Sequence, residues 1–280
     1  MRWKRDPTGP GRVIDRRGAR PGMRTIGLGG GGLAIVIFLV ITLLGGGGNL
    51  TDLTNALDPA GSVSQETPLD PATDPDADLV GFLGDVLADD QAMWQGVFQG
   101  ANLDYRPTDL VVFSGATQSA CGGAQAQVGP HYCPRDELVY MDLDFLRELQ
   151  TRFGAAGDTA QAYILAHEVG HHIQNLLGIT DQVQSLGTNE ASIALELQAD
   201  CFAGVWLSTL RTGTSAAVLE EGDLQEALGA AASVGDDAIQ RQTTGQVTPE
   251  TWTHGSSDQR YRWLNQGFTT GAPRGCDTFS

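Results

Sequence analysis

Residues 26–44, IGLGGGGLAIVIFLVITLL, run for nineteen positions without a charged side chain. No other feature restricts the architecture of the chain as much. A helix of about 20 apolar residues crosses the hydrocarbon core of a bilayer. Ahead of it, residues 1–25 carry eight basic side chains (Arg2, Lys4, Arg5, Arg12, Arg16, Arg17, Arg20, Arg24) against two acids, Asp6 and Asp15. That excess predicts a cytoplasmic basic tail over 1–25 and a transmembrane anchor over 26–44. The rival reading is a cleaved signal peptide, with the small residues at 45–48 as its cleavage region. A buried core helix fits less well, because five glycines lie inside the run, four of them consecutive (Gly29–Gly32), and four more follow it. Anchor or signal, everything after residue 48 is expected outside the cytoplasm, on a single-pass protein of the cell membrane. A G-x-G-x-x-G (Gly27, Gly29, Gly32) falls in the same run, but it lacks the preceding strand and following acid of a dinucleotide site.

Residues 45–78 hold four prolines, seven acids and no basic residue, a composition that cannot bury enough apolar surface to fold, so a disordered spacer is predicted. The chain carries a net charge of −17, which excludes nucleic acid as a main partner, since phosphate binding needs a basic face. Apolar patterning resumes at residue 79, and residues 79–280 read as one domain. Helices are expected over 79–87 and 91–100, and short strands over 110–113 and 138–143. Asp158 with Gln161 predicts the start of a helix reaching Gly178, and Asn189 caps another reaching about Arg211. Asp223 with Glu226, and Ser256 with Gln259, start two more. The fold class is therefore α+β, mostly helical, with a small sheet.

The first long helix contains His167-Glu168-Val169-Gly170-His171. Residues i and i+4 share a helix face, so His167 and His171 can direct ring nitrogens at one metal ion, with Glu168 rotated about 100° to serve as general base. Such a site supplies a Lewis acid, an acidified water and a base, as amide hydrolysis needs. A third ligand is required. Glu196 and Asp200 are again i and i+4, on the next helix. Glu196 is assigned to the metal and Asp200 to orienting a ligand imidazole; spacing alone leaves the reverse open.

HEVGHH at 167–172, ELQADCFAGVW at 196–206, GDD at 235–237, THGSSDQR at 253–260 and the terminal CDTF, together with MRWKR and DRRG near the start, resemble the bacterial neutral zinc metallopeptidases, which are membrane-anchored. The E-x-x-A-D element also resembles the peptidases of the Ste24 and HtpX type. The resemblance implies a zincin-like metallopeptidase domain, Glu196 as third ligand and Asp200 as supporting acid. One departure is His131, where an aromatic residue is expected.

Four cysteines permit three pairings. Cys121 with Cys133 and Cys201 with Cys276 are expected, the second bracing the helix of Glu196. Export favours such bonds. Residues 138–143 are read either as the wall of a substrate cleft, open to edge pairing with a peptide, or as a core strand. His254 is a candidate for stabilising an oxyanion, with a loop hydrogen bond as its other reading. The expected function is that of a membrane-anchored extracytoplasmic zinc metallopeptidase, with one zinc per chain and a peptide or protein substrate. The alternatives are an inactive zinc-containing binding module and a zinc hydrolase of a cell-wall amide. The oligomeric state is left open.

Overall fold

The computed structural model describes residues 1–3, 9–17, 73–125, 129–152, 157–211 and 217–280. The expected anchor at 26–44 and most of the expected spacer lie outside the described residues. Among those described, no helix is long and apolar enough to cross a membrane.

The architecture is α+β. A four-stranded sheet has the order β2 (Val13–Asp15), β3 (Asp109–Phe113), β7 (Leu138–Asp142), β6 (His131–Cys133). The first two pairings are parallel and the last is antiparallel. Leu110 to Phe113 and Val139 to Asp142 are almost wholly buried, the pattern of strands covered on both faces. The short strand β1 (Arg2–Trp3) pairs with β8 (Ala217–Val218), and β4 (Ala116–Ser119) with β5 (Gly122–Gln125).

Two expectations are corrected here. Residues 1–3 and 9–17 are not a tail held apart from the domain, because β1 and β2 pair with its strands. The strand at 138–142 is not an edge open to a peptide either. It lies between β3 and β6 with both sides paired, so the core reading holds. His131, on the edge strand β6, lies flat against Tyr140 at 4.8 Å and so fills an aromatic's place.

The helices form the bulk of the domain. Helix α1 (Ala77–Gly100) is one continuous helix where two were expected, and it begins inside the predicted spacer. After β7 come α2 (Leu143–Arg152), α3 (Asp158–Leu176), α4 (Ile179–Leu186) and α5 (Asn189–Thr209). Then α6 (Asp223–Ser233), α7 (Asp236–Thr243) and α8 (Ser257–Thr270) follow. Helix α3 is buried along nearly its whole length. Asp158 does not cap it. Instead Glu226 of α6 accepts from the Ala160 amide at 2.8 Å, and Asp158 accepts from the α-amino group of Met1. Thr188, not Asn189, caps α5 by accepting from the Ala191 amide. The capping box of Ser256 and Gln259 on α8 forms as expected.

Both disulfides exist as expected, Cys121–Cys133 and Cys201–Cys276. The second bonds α5 to the C-terminal segment.

Candidate metal centre

Helices α3 and α5 approach closely because Gly170, inside the H-E-x-x-H run, has no side chain. A Cβ there would stand 3.1 Å from the Cα and carbonyl oxygen of Ala199. The approach brings His167 and His171 of α3 to Glu196 of α5, one turn before Asp200. His167 Nε2 and His171 Nε2 lie 3.1 Å apart. The Glu196 carboxylate stands 3.2 Å from the first and 3.5 Å from the second. Ligands about 2.0–2.1 Å from a tetrahedral zinc sit about 3.3 Å from one another. The spacing and the donor set, two imidazoles and one carboxylate, both fit that ion.

The far side of each ring is held as well. His171 Nδ1 donates to Gln174 Oε1 at 2.9 Å, and the Gln174 amide donates to the Leu195 carbonyl at 2.7 Å, which fixes the orientation of the glutamine. His167 Nδ1 donates to Asp200 Oδ1 at 2.8 Å. With Nδ1 protonated on both rings, each Nε2 keeps its lone pair for the metal.

Asp200 is wholly buried. Arg260 of α8 reaches it with two bonds, Nε to Oδ2 at 2.8 Å and Nη2 to Oδ1 at 2.9 Å, and the Tyr163 hydroxyl donates to Oδ1 at 2.6 Å. Burial opposes the charge, but Arg260 and His167 outweigh it and hold the carboxyl at about 2. Burial likewise opposes ionisation of Glu196, and His171 and His167 overcome it, leaving Glu196 well below the usual carboxylate range. Burial would lower His167, yet Asp200 and Glu196 raise it to about 10. The carboxylates of Glu196 and Asp200 thus place negative charge beside the ring nitrogens, an environment that favours a cation.

Glu168 is 6% exposed, and its Oε2 is buried with no hydrogen-bond partner among the described residues. An unpaired carboxylate oxygen one residue from a metal ligand suits a general base awaiting a proton. His254 donates from Nδ1 to Asp236 Oδ1 at 3.2 Å. Asp236 also accepts from the amides of Thr253, His254 and Gly255. Burial opposes a charge on His254, but Asp236 and Glu196 raise its pKa. His172 faces elsewhere. It donates to the Arg106 carbonyl at 2.6 Å and meets the Tyr132 hydroxyl at 3.0 Å.

Four residues that complete the site were not anticipated: Tyr163, Gln174, Asp236 and Arg260. Tyr163 precedes His167 by four residues and Gln174 follows His171 by three, so helical spacing could have identified them. Arg260 and Asp236 come from distant segments, and only the fold brings them in.

A family profile described as "putative neutral zinc metallopeptidase" matches residues 1–279. The chain is 41% identical over 266 residues to the uncharacterized protein YpfJ of Escherichia coli K12, covering 92% of this chain and 90% of that one. It is 46% identical over 199 residues to the uncharacterized protein Mb2605 of Mycobacterium bovis, covering 68% of this chain and 67% of that one. No solved structure gives a significant match.

Proposed function

The chain belongs to the neutral zinc metallopeptidase family, and from that premise we propose that it hydrolyses peptide bonds with one zinc held by His167, His171 and Glu196. The convergence of the two ring nitrogens and the Glu196 carboxylate, at separations of 3.1–3.5 Å, carries the reading. Three protein ligands are the count of a catalytic rather than a structural zinc site. Zinc held there supplies a Lewis acid for the scissile carbonyl and lowers the pKa of water.

The protein groups do the rest. Glu168 takes the proton of the attacking water and delivers it to the leaving amine. Asp200 and Gln174 keep the two imidazoles in the required tautomer. His254, oriented by Asp236, donates a hydrogen bond to the developing oxyanion. The substrate is a peptide or protein. The disulfides support an oxidising, extracytoplasmic setting for the domain, and the charge-free run at 26–44 supports attachment to the membrane.

A peptide-library digest by purified protein, with metal removed and then restored, tests the reading. Cleavage is expected to vanish with a chelator and return with zinc. Glu168→Gln is expected to bind zinc at full stoichiometry while losing cleavage, and His167→Ala to lose the metal in elemental analysis. Full cleavage by Glu168→Gln would falsify the mechanism.

A further inference from the structure

Residues 9–17 are built into the domain. The Leu110 amide donates to the Arg12 carbonyl at 2.9 Å and the Arg16 amide to the Val112 carbonyl at 2.8 Å. The Gln91 side-chain amide donates to both the Pro10 and Thr108 carbonyls, at 3.1 and 3.0 Å. Gly11, at a φ of 91°, lies so close to that amide that a Cβ would stand 2.3 Å from it. Without β2, the buried strand β3 would be an open edge, with unpaired amides and carbonyls.

Arg17 closes the arrangement. Its side chain is 6% exposed and is enclosed by Asp15, Asp74 and Asp76, with 2.6 Å to the Asp74 carboxylate. Residue 17 therefore touches residue 74. The described residues on either side of 18–72 thus meet at one point.

A chain that crosses a bilayer and comes back needs two apolar spans of about 20 residues each. Between residues 17 and 74 the sequence offers one apolar run of spanning length, 26–44; residues 45–72 contain Asp52, Asp58, Glu66 and Asp70 and three prolines.

We infer that residues 9–17 and the metal centre stand on the same side of the membrane, so that the chain between residues 17 and 74 makes no single crossing. The inference rests on the proposed membrane attachment. It replaces the single crossing, with the tail on the cytoplasmic side and the domain outside, that charge distribution alone predicts.

The test uses the full chain in intact cells. The structure holds no free cysteine, so an introduced thiol reports its own location. Arg12→Cys, at a side chain 82% exposed, and Glu250→Cys, at an exposed position, are labelled separately with a membrane-impermeant maleimide. A labelling ratio near one is expected, whether before or only after permeabilisation. Labelling of both only after permeabilisation keeps the inference but overturns the extracytoplasmic placement. One position labelled and the other protected overturns the inference.

The double variant Arg12→Cys/Asp109→Cys tests whether β2 docks within one chain, since the Arg12 amide already lies 2.9 Å from the Asp109 carboxylate. Oxidation is expected to give an internally bonded monomer. A bonded dimer means that the strand comes from a second copy, and overturns the inference.

Discussion

Asp200 is a single buried carboxylate that serves three partners at once. Its Oδ1 accepts from His167, Tyr163 and Arg260, and its Oδ2 from Arg260. A carboxylate buried this deeply is tolerable only because the guanidinium matches it with two parallel bonds. Arg260→Met should strand the charge and cost about 3–5 kcal/mol in a denaturant titration of the metal-free protein. Arg260→Lys keeps the charge but not the fork. It should fold, and bind zinc about 10- to 100-fold more weakly in a competition with a chelator, the usual effect of loosening a group that orients a ligand. Unchanged affinity in the lysine variant would mean that Arg260 serves the fold alone. At this scale the sequence was informative wherever partners share a helix: His167 with His171, and Glu196 with Asp200. It was silent about Arg260, sixty positions from Asp200.

The element that delivers Arg260 is α8, and two glycines let it come near enough. A Cβ on Gly204 of α5 would stand 2.1 Å from the Leu264 carbonyl oxygen, and one on Gly267 of α8 would stand 1.9 Å from that of Cys201. Both obstacles are backbone, so neither can move aside without moving a helix. Gly204→Ala should cost about 3 kcal/mol, the upper end of the ordinary range for overpacking. It should also weaken zinc binding, because separating the helices draws Arg260 away from Asp200. A stability loss with unchanged zinc affinity would break the proposed link between crossing distance and site. Local signals marked the start of α8, where Ser256 and Gln259 form the capping box. They failed at α3, whose first turn is satisfied by Glu226 from another helix. A cap supplied from sixty-six residues away leaves no local pattern.

Across the whole molecule, the Cys201–Cys276 bond closes a separation of 75 residues and fixes the C-terminal segment beside the residue that follows Asp200. In the chain-entropy account a loop of that size is worth about 4.5 kcal/mol. Cys201→Ala/Cys276→Ala should lower unfolding stability by roughly that amount, measured by denaturant titration with zinc absent. The Cys121–Cys133 bond closes a separation of 12 residues and should contribute less. The sequence by itself placed His167 with His171, and Glu196 with Asp200, on shared helix faces, because an i, i+4 repeat places side chains on one face whatever surrounds the helix. It also determined the mostly helical α+β class, whereas of the three pairings that four cysteines permit, the fold settled the expected one. Only the tertiary structure decided which acids face which imidazoles, that Arg260 and Asp236 complete the site, and that residues 9–17 form a strand of the domain. Those relations join segments tens of residues apart, and charge distribution along the chain pointed the other way for the last of them. A basic stretch before an apolar run has the same composition whether it is a free tail or a paired strand. What separates the two is β3, whose buried edge requires a partner.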